Sequence, residues 1–241
     1  MRRPAAALIC VSLLALLAGC SGYPWTAAER GDPEAQYVLG KMFEQGDEVE
    51  QSFAEAAAWY RRSAEQGHVE AQFSLAMLCL HGRGVPRDPA EAANWLRQSA
   101  EKGLPKAAHN LGLAYELGEG VKRDVVEAAR WYEQAAAQDF VDSQLNLARL
   151  HTNGDGLPVN QDEAARWFSR AAKLGDPEAQ FRVSLAYAGG LGHRPNLVKA
   201  YVWCERSAAG GFEQARRFRE ELTRRMTAEQ LAEAKQLATE E

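Results

Sequence analysis

Five tryptophans, Trp59, Trp95, Trp131, Trp167 and Trp203, stand 36 residues apart at every step, with no insertion or deletion between them. A period that constant restricts the chain to a repeating architecture, in which each unit buries its apolar face against the next. Aligned on the tryptophans, the sequence divides into blocks Glu34–Val69, Glu70–Pro105, Lys106–Val141, Asp142–Pro177 and Glu178–Glu213. Other columns keep the same register. Leu39, Leu75, Leu111, Leu147 and Val183 share one; Gly46, Gly82, Gly118, Gly154 and Gly190 share another; Ala56, Ala92, Ala128, Ala164 and Ala200 a third. A 36-residue unit with these columns predicts an all-α solenoid of stacked antiparallel helix pairs.

Each block reads as two helices. The first starts near Ala35, Ala71, Ala107, Ser143 or Ala179; in Asp32-Pro33 and Asp176-Pro177 an aspartate can cap while proline fills the first helical position. It ends at the glycine column, where a left-handed cap carries no Cβ penalty. The second helix opens on Ser52-x-x-Glu55, Asp88-x-x-Glu91, Asp124-x-x-Glu127 or Asn160-x-x-Glu163, each a capping box or close variant, and on Asn196-x-x-Lys199, which keeps the cap alone. It stops at Gly67, Gly103, Gly175 or Gly211, with Asp139 standing in once. Small residues at Gly40, Ala76, Gly112, Ala148 and Ser184, and at Ala64, Ala100, Ala136, Ala172 and Ala208, predict close helix approach, with the Leu and Trp columns filling the space.

Residues 20–33 read as an anchor linker and an N-terminal capping helix, with Tyr23 in the Trp column, and 214–241 as two capping helices. Before them, Arg2 and Arg3, an apolar run from Ala5 to Ala18 and the small residues at Gly19-Cys20 have signal-peptide anatomy, so 1–19 is expected to leave the mature chain. Leu17-Ala18-Gly19-Cys20 resembles the lipobox of bacterial lipoproteins, which implies that Cys20 is acylated and holds the protein to a membrane. Ser21 fits the outer-membrane sorting pattern, and the expected location is an outer-membrane lipoprotein facing the periplasm. The net charge of −5, without a basic block, argues against nucleic acid. Cys79 and Cys204 are expected to be buried thiols, too far apart to bridge.

The third block, Leu111-Gly112-x-x-Tyr115-x-x-Gly118-x-Gly120-Val121-x-x-Asp124 followed by Ala128-x-x-Trp131, resembles the Sel-like repeat, a relative of the tetratricopeptide repeat. The resemblance implies a right-handed superhelix and a scaffold that binds proteins, often in bacterial envelopes. Two blocks depart from it. Glu48 stands where other blocks carry the second glycine of Gly-x-Gly, and His193-Arg194-Pro195 follows Gly190-Leu191-Gly192 in the fifth.

The resemblance places one face of each first helix on the inner wall. That stripe holds the candidate partner-binding residues: Tyr37 and Lys41; Phe73, Met77 and His81; His109, Leu113 and Glu116; Arg149 and Asn153; and Phe181. These columns change chemistry from block to block, as a surface matched to one partner requires. Any single apolar member, such as Phe73, Leu113 or Phe181, reads more readily as core between repeats, since apolar stripes at helical spacing are usually core. Catalytic signals are thin. The five histidines lack zinc-ligand spacing, no metal or cofactor is expected, and Ser99-x-x-Lys102 has the form of a penicillin-recognising motif but arises from the repeat, as Ser63-Ala-Glu-Gln66 shows. The expectation is a non-catalytic adaptor for envelope proteins; the alternative is a binder of peptidoglycan or another wall component, with β-lactam hydrolase-type activity by analogy with some secreted members.

Overall fold

The computed structural model describes residues 24–190 and 194–240. The signal segment, Cys20, Tyr23 and the Leu191-Gly192-His193 turn therefore lie outside the described residues. The described chain is helical: α1 Trp25–Glu29, α2 Pro33–Gln45, α3 Phe53–Glu65, α4 Val69–His81, α5 Pro89–Glu101, α6 Pro105–Leu117, α7 Val125–Ala136, α8 Val141–Asn153, α9 Gln161–Lys173, α10 Pro177–Gly189, α11 Leu197–Ala209, α12 Glu213–Arg225 and α13 Ala228–Glu240. No helix of the described residues is long and apolar enough to cross a membrane. Contacts divide the chain into two compact units, Met1–Ser99 and Ala100–Glu241, the division falling inside α5.

Both units are built from helical hairpins whose ends are fixed by the residues that mark them in the sequence. Asp32 and Asp176 accept the Ala35 and Ala179 amides at 2.8 and 2.7 Å, and Ser52, Asp88, Asp124, Asn160 and Asn196 cap the second helices in the same way. The first helices begin two residues earlier than Ala35 and its equivalents, because proline or valine supplies the first turn. At α4 an unforeseen cap appears: His68 Nδ1 accepts the Ala71 amide at 3.2 Å, so that ring nitrogen is unprotonated, and Nε2 faces Glu34 at 2.8 Å. Asp139 adopts φ 60° in the place of glycine, and Arg170 bridges its carboxylate and the Ala137 carbonyl. The guanidinium thus ties the left-handed aspartate to the Ala137 carbonyl at the end of α7.

Glutamine supplies a link that composition alone does not reveal. In the first turn of α2, α4, α8 and α10, the buried Gln36, Gln72, Gln144 and Gln180 donate Nε2 to the carbonyls of Ala28, Ala64, Ala136 and Ala172, at 3.1 to 3.3 Å. Each bond ties the end of one second helix to the first helix after it, taking the second lone pair of a carbonyl that already accepts the backbone amide three residues on. The third block carries Ala108 in that column, and the Ala100 carbonyl, which accepts the Gly103 amide, receives its second bond from Gln134 Nε2 at 2.5 Å instead. Buried serines add a parallel set: Ser63, Ser99 and Ser207 donate to the carbonyls of Pro33, Val69 and Pro177. The Ser99 hydroxyl is thus committed to holding helices together.

The tryptophan column packs from the rim: Trp59, Trp167 and Trp203 lie against core clusters without being sealed in them. Trp59, Trp95, Trp131, Trp167 and Trp203 are only half-buried, and arginine lies over the rings of Trp59 and Trp203 at 4.5 and 5.0 Å. The space is filled by the next column, where Tyr60, Leu96 and Tyr132 are sealed from solvent. A helix turns about 100° per residue, so the tryptophan is carried to the edge of the contact while its neighbour points into it. Cys79 and Cys204 are buried free thiols as expected, and burial raises each thiol to about 11.

The turn of the first block reports the cost of its departure. Glu48 is exposed and held at φ 58°, where a Cβ is disfavoured. Glu48→Gly relieves that strain and adds freedom to the unfolded chain, so the net gain expected is about 0.5 kcal/mol. A higher urea midpoint with unchanged slope is the expected reading; a lower midpoint would reveal a compensating contact of the glutamate.

Candidate functional site

In the unit Met1–Ser99 the candidate wall runs along α2 and α4. Tyr37 is half-buried, stacked on the His68 ring at 4.7 Å, with Lys41 Nζ 5.8 Å from its centroid. Burial raises the Tyr37 hydroxyl, and the carboxylates of Glu70, Glu34 and Glu44 push it further. One turn beyond, Tyr60 donates its hydroxyl to Glu44 at 2.5 Å. Burial, followed by that bond, drives the Tyr60 hydroxyl far up, so it remains a donor. Phe73 and Met77 are half-buried on α4, while His81 is exposed in its last turn.

In Ala100–Glu241 the same module recurs with an addition. Tyr132 donates to one oxygen of Glu116 at 2.8 Å, and Arg149, one helix pair further on, engages the other. The Glu116 side chain is 14% exposed and that of Arg149 41%, so the carboxylate sits inside the wall while the guanidinium reaches its surface. Arg149 is thus a pinned cation. In the first unit the position equivalent to Arg149 is Met77, which leaves Glu44 with the tyrosine and no arginine.

Three further residues of the stripe change meaning. His109 lies between the rings of Tyr132 and Phe140, with Nδ1 2.9 Å from the Ser143 hydroxyl; burial lowers its pKa, against an opposing pull from Asp142 and Glu116. The ring therefore serves the wall as a neutral packing element at pH 7. Leu113 packs partly buried against the cluster of Val125, Ala128, Tyr132 and Leu147. Phe181 is 9% exposed and makes ring contacts with Phe212 and Phe218 at 5.3 and 5.8 Å, so it belongs to the core under α12 and leaves the candidate site. α12 begins 36 residues after α10 and stands where each earlier repeat has the first helix of the next, so Phe212 meets Phe181 as His68 meets Tyr37. Asn153 is exposed and bonds Asp155 at 3.3 Å, and Leu117, at 67% exposed, is the most open large apolar side chain of the described residues.

Tyr60 and Tyr132, which organise both carboxylates, are absent from the sequence-derived stripe because they sit on the second helices. Their signal was a pairing. Each faces a glycine twenty positions earlier and a glutamate sixteen positions earlier, a combination that occurs only in the first and third blocks. Among the described residues no group of three or more His, Cys, Asp or Glu is arranged to hold a metal.

The Sel1 repeat family model matches the chain five times in succession, at residues 33–68, 69–104, 105–140, 141–176 and 177–212. A Sel1 repeat protein from Oxalobacter formigenes superposes with a TM-score of 0.67 at 30% identity, over 76% of this chain and 73% of that one. The protein c5321 of uropathogenic Escherichia coli, a protective antigen with the same repeat fold, does so with a TM-score of 0.52 at 29% identity, over 89% of this chain and 55% of that one. No curated protein matches the sequence. Proteins built from these repeats are generally non-catalytic scaffolds for protein interaction. Five contiguous matched repeats and their solved likenesses establish that the chain belongs to the Sel1 repeat family.

Proposed function

We propose that the protein is a lipid-anchored adaptor of the bacterial envelope, acylated at Cys20 in the outer membrane and facing the periplasm, which docks an envelope protein on the wall formed by its first helices. The observation that carries this reading is the Tyr132–Glu116–Arg149 cluster. A buried tyrosine holds a carboxylate, the carboxylate holds an arginine, and the arginine keeps most of its five donors for a ligand. A side chain already fixed in this way loses little rotamer entropy on binding, and pre-ordered arginines are typical anchors of protein interfaces. Leu117, exposed beside Glu116, gives the same wall an apolar contact. Packing columns explain neither feature, since Glu116 and Arg149 have apolar counterparts in Leu80 and Met77.

The test is recovery of partners from crosslinked native envelopes by quantitative mass spectrometry, comparing the acylated protein with Arg149→Glu and Cys20→Ser. One or two envelope proteins crosslinked to α6 and α8 are expected, with recovery falling by about thirtyfold in Arg149→Glu, the equivalent of about 2 kcal/mol at an interface anchor. Unchanged recovery with Arg149→Glu would remove the wall from the binding site. Peptidoglycan fragments alone would replace the adaptor with a wall binder.

A further inference from the structure

Only Ser21, Gly22 and Tyr23 separate Cys20 from Pro24, the first described residue. Four peptide steps span at most about 14 Å even when extended. The chain beyond Pro24 is no slack linker. The Trp25 ring meets Phe43 edge-on at 5.8 Å, Gln36 Nε2 donates to the Ala28 carbonyl at 3.1 Å, and the Asp32 amide donates to the Ala27 carbonyl at 3.1 Å, so α1 is fixed to α2. Because Trp25 touches Phe43, near the end of α2, the chain enters beside the Gly46–Ser52 turn, where Asp47, Glu48 and Glu50 are exposed.

We infer that this end of the unit Met1–Ser99, formed by Trp25 and the Gly46–Ser52 turn, is a membrane-apposed surface held against the lipid headgroups. The inference rests on the proposed acylation of Cys20 and adds to it where the folded repeats lie. Trp25 is half-buried and offers the remaining part of an amphipathic ring, a side chain suited to the headgroup layer. The charge has the opposite tendency: residues 24–55 carry eight acidic and two basic side chains. An anionic bilayer repels such an end, so the tether rather than electrostatic attraction keeps it there. Salt screens over about 8–10 Å, a distance inside the tether's reach, and the stand-off on anionic lipid should therefore respond to ionic strength. A docking partner that engages α2 and α4 must itself lie at the membrane surface.

The full-length acylated protein, labelled with a fluorophore at Thr26→Cys, is reconstituted in phosphatidylethanolamine–phosphatidylglycerol vesicles carrying a headgroup acceptor; buried Cys79 and Cys204 spare the label. A second protein carries a flexible insertion of about thirty Gly/Ser residues after Ser21, with a root-mean-square reach of about 30 Å. Strong energy transfer is expected for the first and at least a threefold loss for the second. Transfer in the native protein should also rise between about 10 mM and about 300 mM salt as the repulsion is screened. Weak transfer in the acylated native protein, equal transfer in both proteins, or no response to salt would overturn the inference while leaving the anchor intact. Absence of acyl mass on the Cys20 peptide would remove the anchor and the inference together.

Discussion

Gly84→Ala is expected to open the hairpin of α3 and α4. A Cβ built at Gly84 lies 2.2 Å from the Phe53 carbonyl carbon and 2.4 Å from the Ala54 nitrogen, all backbone, at φ 71°. No rotamer change removes such a clash, so the turn after α4 must lift away from the start of α3. The expected loss exceeds about 3 kcal/mol, in the range reserved for substitutions that break backbone packing. Gly31→Ala is the matched control: φ is 97°, nothing lies within 4 Å of the new Cβ, and the conformational term alone should cost about 1 kcal/mol. Because repeats are stabilised by nearest neighbours, hydrogen exchange should accelerate first in α3 and α4. Equal destabilisation by both substitutions would show that the glycine serves dihedral freedom and not close approach.

Most of the fold was readable because it is written five times. Capping residues, helix-ending glycines and the 36-residue register recur, and each recurrence checks the last. The wall was readable only as a stripe, since helical periodicity assigns residues to a face without saying what crosses from another helix. The hydrogen bonds of Glu44 and Glu116 come from tyrosines sixteen residues on, and the arginine on Glu116 comes from the following block. Phe181 leaves the wall for a related reason: α12 begins 36 residues after α10 and acts as a sixth first helix, which a register read from tryptophans alone does not reach, and its Phe218 closes on the ring together with Phe212. The regularity of the tryptophans marks packing without giving its depth, for an invariant column can mark the edge of a contact as well as its centre.

The tyrosine column also explains why glycine and alanine alternate within α2, α4, α6 and α8. Gly40 faces the sealed ring of Tyr60 and Gly112 that of Tyr132, while Ala76 shares its block with Leu96 and Ala148 with Phe168, a ring that has no hydroxyl to hold it and is only half-buried. A Cβ at Gly112 would stand 2.6 Å from Tyr132 Cε1, and the ring cannot retreat, being fully buried with its hydroxyl fixed on Glu116. Gly112→Ala should therefore cost about 2 kcal/mol as overpacking, and Tyr132→Leu about 2–3 kcal/mol from lost volume and an unmade hydrogen bond. Combining them installs the alanine and leucine of the second block, where Ala76 and Leu96 are both buried. The methyl then has a shorter neighbour and the cavity is partly filled, so the double variant should be more stable than the sum of the singles by at least about 1 kcal/mol. Glu116 loses the tyrosine in that variant but keeps Arg149, so the wall retains its charge pair and some residual cost persists. Strict additivity in urea unfolding would mean that the two columns vary independently, and the volume-matching account of the repeats would fail.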